Sequence, residues 1–286
     1  WRGNNQGVAA TKPMNAQYQF SIAMLSAYSM VDRAEAKLNG QIGKFRWNLD
    51  QAHIEGMSQQ VASAMFYASE ATDPNQFTGF APFYPTLSTA TAQTANNVIN
   101  AGGSGSANTS LWSIGWGDNT TFSLFPKGSV AGLQYEDKGD VRALYDTNGN
   151  SYEGYTSYFE WKIGLCVKDW RYNVRIANID TTTAGLLGAT PPDLNALMAI
   201  AANIPPVSTR RMSGITQSDA PGDPVPGVNR AWYCNRSVRT ALDLQAIRDK
   251  NVLLSIKEYA GEPVTMWRDA PVRLVDALIN TEATVA

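Results

Sequence analysis

The chain has 286 residues, 44% of them hydrophobic and 17% charged, which is typical of an ordered globular protein and argues against disorder. Its 23 basic and 25 acidic residues give a net charge of −2, without the basic excess that proteins gripping nucleic-acid phosphates usually carry. The longest wholly apolar run, Ala196 to Ala202, is too short to cross a bilayer.

The first 40 residues predict an exposed arm followed by a strand and a short helix. Residues 1–13 are polar, contain glycine and end at Pro13, as an exposed loop would. Apolar residues then alternate from Tyr18 to Met24, which predicts a strand passing into a helical segment that ends near Asn39-Gly40. The chain opens on Trp-Arg-Gly without an initiator methionine or a signal-peptide pattern. We therefore expect that residues before Trp1 were removed or lie outside this sequence.

The clearest helical pattern runs from Asp50 to about Glu70. Asn48 and Gln51 form a start that resembles a capping box. Apolar residues then recur at spacings of three and four, at Ile54, Met57, Val61, Met65 and Ala68. Such a helix would be roughly 30 Å long. Because its apolar stripe is narrow, we expect it to lie across the back of a sheet.

Residues 73–110 are rich in Pro, Thr, Asn, Gly and Ser, which predicts a long loop with little core of its own. A β-rich part follows, with strands predicted at Leu111–Gly117 and Phe122–Phe125. The sequence Asp146 to Asn150 reads as a hairpin turn around Asn148-Gly149.

The strongest pattern of the chain is the run from Tyr158 to Ile176. Its apolar residues stand at odd positions up to Val167 and at even positions from Trp170 onward. A one-residue shift of this kind predicts one long strand with a β-bulge or a sharp bend at Lys168-Asp169. At about 3.3 Å per residue, that strand would span roughly 60 Å, which suits a structural protein with long, extended elements.

The sequence after Ile179 changes to a helical α/β character. Thr190 is predicted to cap a helix whose first residue is Pro191, and a second helix is predicted near Asn235. The tail from Ala270 to Val285 reads as a strand. We therefore expect a domain boundary within residues 179–190.

The sequence contains no recognisable catalytic, cofactor-binding or metal-binding motif. The single histidine, His53, lacks an evident partner, and a structural role is favoured. The two cysteines, Cys166 and Cys234, match neither a disulfide framework nor a zinc motif. Trp161 and Trp170 fall on the core pattern, where aromatic residues usually serve packing. We therefore expect neither an enzyme nor a cofactor.

Several strings of the chain resemble the major capsid proteins of short-tailed bacteriophages of the epsilon-fifteen and Bordetella-phage kind. The resemblance runs in consistent order over nearly the whole chain, at residues 7–13, 48–56, 111–117, 124–133, 168–179 and 275–283. It implies an α+β protein with the Hong Kong 97-type capsid fold. It also implies a function, which is self-assembly into the icosahedral shell around a double-stranded DNA genome.

The resemblance implies a division of the chain into three parts. Residues 1–15 would belong to an extended loop, 16–179 to a peripheral domain with a spine helix at about 50–70 and a long-stranded sheet, and 180–286 to an apical α/β domain. Since most relatives visit the apical domain before the long strands, the strand order here would be permuted.

The resemblance also implies partners and contact residues. The partners would be many copies of the chain in hexamers and pentamers, a decoration or cement protein, a portal, and packaged DNA through non-specific contact, with no membrane. We expect Trp1, Arg2 and Lys12 of the extended loop to lie over a neighbouring subunit. Arg210 and Arg211 are expected at apical contacts around a symmetry axis. The protein would be located in the virion, after assembly in the host cytoplasm.

Two other functional classes compete with this interpretation. A β-rich surface protein that binds glycans would fit the eight tryptophans and the N-x-S/T sequons at Asn108, Asn119 and Asn235. A hydrolase with an unrecognised site has little support among the residues.

Overall fold

The computed structural model describes residues 1–12, 17–38, 40–139, 142–145, 147–182, 185–186, 188, 191–205, 228–248, 254–259, 262–268 and 270–286. In these ranges a large mixed sheet is accompanied by a long helix near the N-terminus and two shorter helices in the C-terminal third. The protein is therefore of the predicted α+β class.

The N-terminal part begins without regular structure and then forms a strand and a helix in the predicted order, although the strand begins at Ala23, after most of the alternating residues Tyr18–Met24. Strand β1 spans Ala23–Asp32 and helix α1 spans Arg33–Leu38. Gly40 has a φ of 67°, a conformation that glycine adopts without steric cost, and it separates α1 from the next helix. Along β1 the even-numbered residues from Met24 to Met30 are exposed, whereas Ser29 and Val31 are buried, so the strand has an outer and an inner face.

Helix α2, Ile42–Tyr67, is longer than the sequence predicted. The predicted start near Asp50 is wrong, since Asn48 and Gln51 lie inside the helix and its N-cap Gln41 makes no side-chain cap hydrogen bond. The helix begins earlier because tertiary packing stabilises its first turns: Ile42 and Phe45 pack in a small cluster with Val31, Ala36 and Tyr155. Met57 and Val61 of the predicted stripe are buried.

The segment after α2 contributes to the core, so the prediction of a loop with little core is wrong. It contains α3, Phe80–Phe83, a 3-10 helix, Gln93–Asn97, and β2, Val98–Asn100. Phe80 and Tyr84 are buried, with ring centroids 5.9 and 5.8 Å from that of Trp112. The prediction failed because it rested on the Pro, Thr, Asn, Gly and Ser content of the segment and gave no weight to its buried aromatics, Phe77, Phe80 and Tyr84.

The described strands form one twelve-stranded sheet. The strands that follow β2 are β3 Asn108–Trp116, β4 Thr121–Leu124, β5 Leu133–Asp137, β6 Arg142–Tyr145, β7 Ser151–Val167 and β8 Val174–Asp180, and those of the C-terminal third are β9 Asn229–Cys234, β10 Leu254–Tyr259, β11 Glu262–Trp267 and β12 Ala270–Leu274. The central path of the sheet runs β1-β7-β4-β3-β9-β12-β11-β10, with β5 and β6 beside β7, β8 beside β3, and β2 beside β8. Strands β6 and β7 form the predicted hairpin, with Tyr145 opposite Ser151 and Gly149 at a φ of 84°.

The predicted single strand from Tyr158 to Ile176 is two strands. Strand β7 ends at Val167, a 3-10 turn covers Trp170–Tyr172, and β8 begins at Val174. The Asp169 carboxylate accepts a hydrogen bond from the Arg171 amide at 3.1 Å and so stabilises the turn. The break therefore lies where the phase shift indicated, but it is a turn between strands with different partners, and not a bulge.

The C-terminal third contains α4 Leu194–Asn203, β9 Asn229–Cys234, α5 Arg236–Arg248, β10 Leu254–Tyr259, β11 Glu262–Trp267 and β12 Ala270–Leu274. Asp193 caps α4, since its carboxylate accepts from the Ala196 amide at 3.0 Å. The predicted cap Thr190 lies outside the described residues. Asn235 caps α5 in the same way at the Val238 amide, at 2.9 Å.

Two large hydrophobic clusters hold the sheet and helices together. One joins β3 and β8 to α4, α5, β9 and β12, and it includes Leu111, Ile176, Met198, Leu242 and Trp232. The other joins the end of α2 to Phe77, Phe80 and Trp112, and it also contains Leu278 and Val285 of the tail. The predicted strand from Ala270 to Val285 is therefore wrong beyond Leu274, because the tail packs against the second cluster and meets the sheet again only at an isolated bridge between Glu282 and Asn108.

A buried ion pair fixes the tail. The Arg175 guanidinium donates to the Glu282 carboxylate at 2.9 Å, to the Ser110 hydroxyl at 3.0 Å and to the Tyr84 carbonyl at 2.9 Å. The Tyr67 and Ser110 hydroxyls each donate to Glu282 at 2.5 Å. The Arg175 and Glu282 side chains are only 6% and 4% exposed. Burial, together with the Glu282 charge, raises the pKa of Tyr67 far above its ordinary value.

Candidate functional site: the exposed interaction surfaces

The described residues contain no group of three or more His, Cys, Asp or Glu that could hold a metal ion. His53 is exposed and its ring stacks on Phe159, with 6.4 Å between the ring centroids. Both cysteines are free and buried, and burial raises the pKa of Cys234 to about 12. None of the described helices has the length and hydropathy needed to cross a membrane. The candidate functional features of the described residues are therefore exposed surfaces that another protein could contact.

The first surface is the extended segment of residues 1–12, all of which are exposed. Trp1, Arg2 and Lys12, the predicted contact residues, all lie on it. Within this segment the hydrogen bonds join only Gly3 and Gln6, the backbone pair at 3.3 Å. Most of the segment's backbone N–H and C=O groups therefore have no partner among the described residues.

The predicted apical contact residues Arg210 and Arg211 lie outside the described residues. Their position at apical contacts around a symmetry axis stays a prediction.

The second surface is the outer row of β1. The side chains of Met24, Tyr28 and Met30 are 60%, 55% and 58% exposed. β1 pairs with β7 from Ala23 opposite Ile163 to Asp32 opposite Gly154, and no described strand pairs with its other edge. The alternation predicted a strand, but sequence reasoning missed that it would be an edge, because the pattern does not reveal sheet order.

Next to this row, β7 and β5 present charged side chains. The rings of Tyr28 and Tyr158 lie 4.8 Å apart, and the Tyr158 hydroxyl donates to Glu160 at 2.9 Å. Lys162 forms an ion pair with Glu160, and the Lys138 ammonium lies 5.1 Å from the Tyr158 ring centroid. Strands β1, β7 and β5 form a ribbon, whose outer face is therefore apolar along β1 and of mixed charge along β7.

Helix α2 covers the opposite face of the ribbon and is fastened to it by polar contacts. The Arg46 guanidinium donates to Asp137 of β5 at 2.8 Å and to Ser157 of β7 at 3.3 Å. The Ser157 hydroxyl in turn donates to the buried Asp50 at 3.1 Å. The hydrogen bond from Arg46 holds the pKa of Asp137 below its ordinary value. The ribbon thus has one covered face and one open face.

A groove of about 380 Å³ lies between the start of β1 and the second half of α2. Val61, Ala64, Phe77 and Ile163 contribute apolar walls, and Gln60 is an exposed polar residue of its lining. The groove therefore continues the free edge of β1 toward the end of α2. No motif in the sequence could have indicated it, because its walls come from four separate parts of the chain.

Comparisons with known proteins agree with the resemblance seen in the sequence. The family model of the Major capsid protein GP7 matches residues 1–286. Among solved structures, the chain is similar to one from the cryo-EM structure of bacteriophage epsilon15, with 31% identity, a TM-score of 0.66, and coverage of 100% of this chain and 80% of that chain. No curated protein matches significantly. Because the family model covers every residue, the chain belongs to the Major capsid protein GP7 family.

Proposed function

We propose that copies of this chain, a structural protein of the bacteriophage capsid, close into the icosahedral shell that encloses a double-stranded DNA genome. The capsid role itself follows from family membership, which carries the proposal: the family model matches the whole chain. Closed icosahedral shells need heterologous contacts that repeat around several axes, so one subunit must present several distinct surfaces. The glycan-binding alternative has no support from the comparisons.

Electron microscopy of the expressed protein tests this function. Megadalton spheres are expected in negative stain. A small, monodisperse species with glycan affinity would contradict the proposal.

The finer architecture that we propose is the Hong Kong 97-type fold, with an extended loop at 1–15, a peripheral domain at 16–179 and an apical domain at 180–286. Support comes from the position of α2 along the long ribbon of β1, β7 and β5. The proposed strand order is permuted, since β7 and β8 precede the helical C-terminal third in the chain. In this scheme the last residues of the apical domain return to a cluster shared with the end of α2.

The extended segment is proposed to lie over the peripheral domain of a neighbouring subunit through Trp1, Arg2 and Lys12. Its complete exposure and its unpaired backbone support this role. Deletion of residues 1–12 should leave a folded subunit that forms no shells, because the segment makes few contacts with its own chain. The replacement Asn4→Ser in the intact segment is the control and should assemble normally. Normal particles from the deletion variant would refute the contact.

We place Arg210 and Arg211, with the loop at 219–227, at apical contacts around a symmetry axis. Support comes from the family resemblance and from the two adjacent positive charges. Reversal of both charges, Arg210→Glu with Arg211→Glu, should impair assembly, as judged by particle yield in sucrose gradients. Unaltered particles would count against this placement.

Further partners follow from the same role. We propose hexamers and pentamers as the units of the shell, with a decoration protein and a portal as additional contacts. Packaged DNA would touch the inner surface only non-specifically, which fits the net charge of −2. Assembly would take place in the host cytoplasm, and the subunit would perform no catalysis.

A further inference from the structure

We propose that the free edge of β1, together with the groove beside α2, is a strand-addition site that accepts residues 7–12 of a second copy of this chain. The inference rests on the proposed contact between the extended segment and a neighbouring subunit. It adds the receiving surface, the residues that enter it, and the kind of bonding that holds them.

The first argument is the chemistry of the strand edge. In a paired strand, half of the backbone N–H and C=O groups point away from the partner, so an unpaired edge offers a row of donors and acceptors. Natural proteins usually protect such an edge with lysine, proline, a bulge or a very short strand. β1 is ten residues long, pairs with β7 without a register shift, and carries neither proline nor a charged residue before Asp32. It is therefore open to pairing with another strand.

The second argument is the groove. Peptides that add to a sheet edge gain affinity from main-chain hydrogen bonds and specificity from pockets for alternate side chains. Here the groove adjoins Ala23, Met24 and Leu25 of β1, with Val61 and Ala64 of α2 forming the facing wall. A strand added along β1 would thus meet the wall formed by Val61 and Ala64 where it passes Ala23 to Leu25.

The third argument is the fit of the occupant. Residues 7–12 read Gly-Val-Ala-Ala-Thr-Lys, and the small apolar and β-branched side chains among them suit an added strand beside a narrow groove. These residues are all exposed and form no hydrogen bond with any residue that the structure describes. Both members of the proposed pair therefore present unpaired backbone in the isolated subunit.

The fourth argument identifies a second copy as the source of the segment. The chain before β1 is held by Phe20, whose ring centroid lies 6.2 Å from that of Phe83, and by Ser21, which donates to Glu70 at 2.9 Å. These contacts hold residues 20 and 21 beside the end of α2, and the described residues 7–12 form no hydrogen bond with β1 of their own chain. A shell that brings many copies together supplies the segment from a neighbour.

Disulfide mapping in mixed shells tests the pairing. Val8→Cys subunits are assembled together with subunits that carry Ser26→Cys or Tyr28→Cys on the outer row, because opposite residues of paired strands bring their β-carbons within disulfide range. Oxidised mixed shells should yield disulfide-linked dimers on a non-reducing gel for at least one combination. The native cysteines are buried and do not interfere. Failure of both combinations overturns the pairing, as does a link that forms only within one chain when both substitutions are combined.

Hydrogen exchange gives an independent readout on the unaltered protein. Alternate amides between Ala23 and Asp32 should exchange fast in the unassembled subunit and slowly in shells, because half of them face the free edge. Unchanged exchange upon shell formation overturns the proposal.

A matched pair of glutamines on α2 tests the groove. Gln60 lines the groove, whereas its exposed neighbour Gln59 bonds Glu55 on another side of the helix, at 3.2 Å. Gln60→Trp should lower the yield of shells and abolish the disulfide link, while Gln59→Trp should assemble like the parent. Equal assembly of the two variants overturns the role of the groove.

The outcomes separate this inference from the proposed contact on which it rests. If deletion of residues 1–12 stops assembly while the disulfide link of the Val8→Cys subunits and the β1 protection are both absent, the segment acts elsewhere and only the strand-addition site is overturned. If the deletion variant forms normal shells, both proposals fail.

Discussion

Removal of the charge on Glu282 should strongly destabilise the subunit. Glu282→Gln keeps the shape of the side chain but leaves the buried Arg175 guanidinium without a counter-ion. Loss of one partner of a buried ion pair typically costs about 3–5 kcal/mol, and the 6% and 4% exposure of the two side chains puts this pair in that class. For a protein of this size, the corresponding fall in Tm is roughly 5–15 °C.

Urea unfolding of the unassembled subunit, followed by tryptophan fluorescence, measures this effect. Trp112 is a suitable reporter, since the Arg175 guanidinium lies 5.2 Å from its ring centroid. The control is Asp276→Asn, which breaks the exposed pair with Arg236 and should change the midpoint little. Combining Glu282→Gln with Arg175→Met should recover part of the loss, because the unpaired charge is then gone. A change below about 1 kcal/mol for Glu282→Gln alone would show that the tail is not docked in solution.

Three further predictions concern the same subunit. Gly79→Ala should lower the free energy of unfolding in urea by about 1–3 kcal/mol, because a β-carbon there would lie 2.5 Å from a carbonyl oxygen of α2. Gly56→Ala has open space around it and should stabilise α2 by roughly 0.5–1 kcal/mol. Equal effects of the two substitutions would contradict the packing of Gly79 on α2. The bond from Arg46 lowers the pKa of Asp137, so this carboxylate stabilises the fold fully above the ordinary aspartate pKa and loses that contribution as the pH falls through the lowered value. Asp137→Asn should accordingly reduce the loss of urea midpoint between about pH 5 and pH 3, and an unchanged pH profile would argue against the contact. Because burial raises the pKa of Cys234 to about 12, its thiol should react with iodoacetamide at about pH 8 only after unfolding, which mass spectrometry can follow.

Elements governed by local chemistry could be predicted from the sequence. The stripe of α5 is one case, since Val238, Ala241, Leu242 and Gln245 recur at helical spacing and all four are buried. The position of the break between β7 and β8 is another, because a change in the phase of alternation must mark a change in the face or the partner of the chain. In both cases the signal lies within a few neighbouring residues.

Features set by distant contacts could not be predicted. The first turns of α2 are helical because Phe45 packs near Tyr155, whereas the capping-box pattern at Asn48 and Gln51 placed the start eight residues too late. The fully buried tryptophans are Trp112, Trp232 and Trp267, whereas Trp161 and Trp170, expected in the core, are only half-buried.

The candidate interaction site likewise has one part that the sequence indicated and one part that it did not. The exposed segment with Trp1, Arg2 and Lys12 was indicated by its polar, glycine-containing composition. The receiving edge of β1 and its groove were not, because sheet order and the meeting of β1 with α2 are properties of the whole fold.

The docked tail has a consequence for the timing of synthesis. Arg175 leaves the ribosome 107 residues ahead of Glu282, which at about 5–20 residues per second is a delay of roughly 5–20 seconds. Throughout that interval the guanidinium has no counter-ion, and the second hydrophobic cluster lacks Leu278 and Val285. A nascent polypeptide therefore cannot complete its native core before nearly the whole chain has been made.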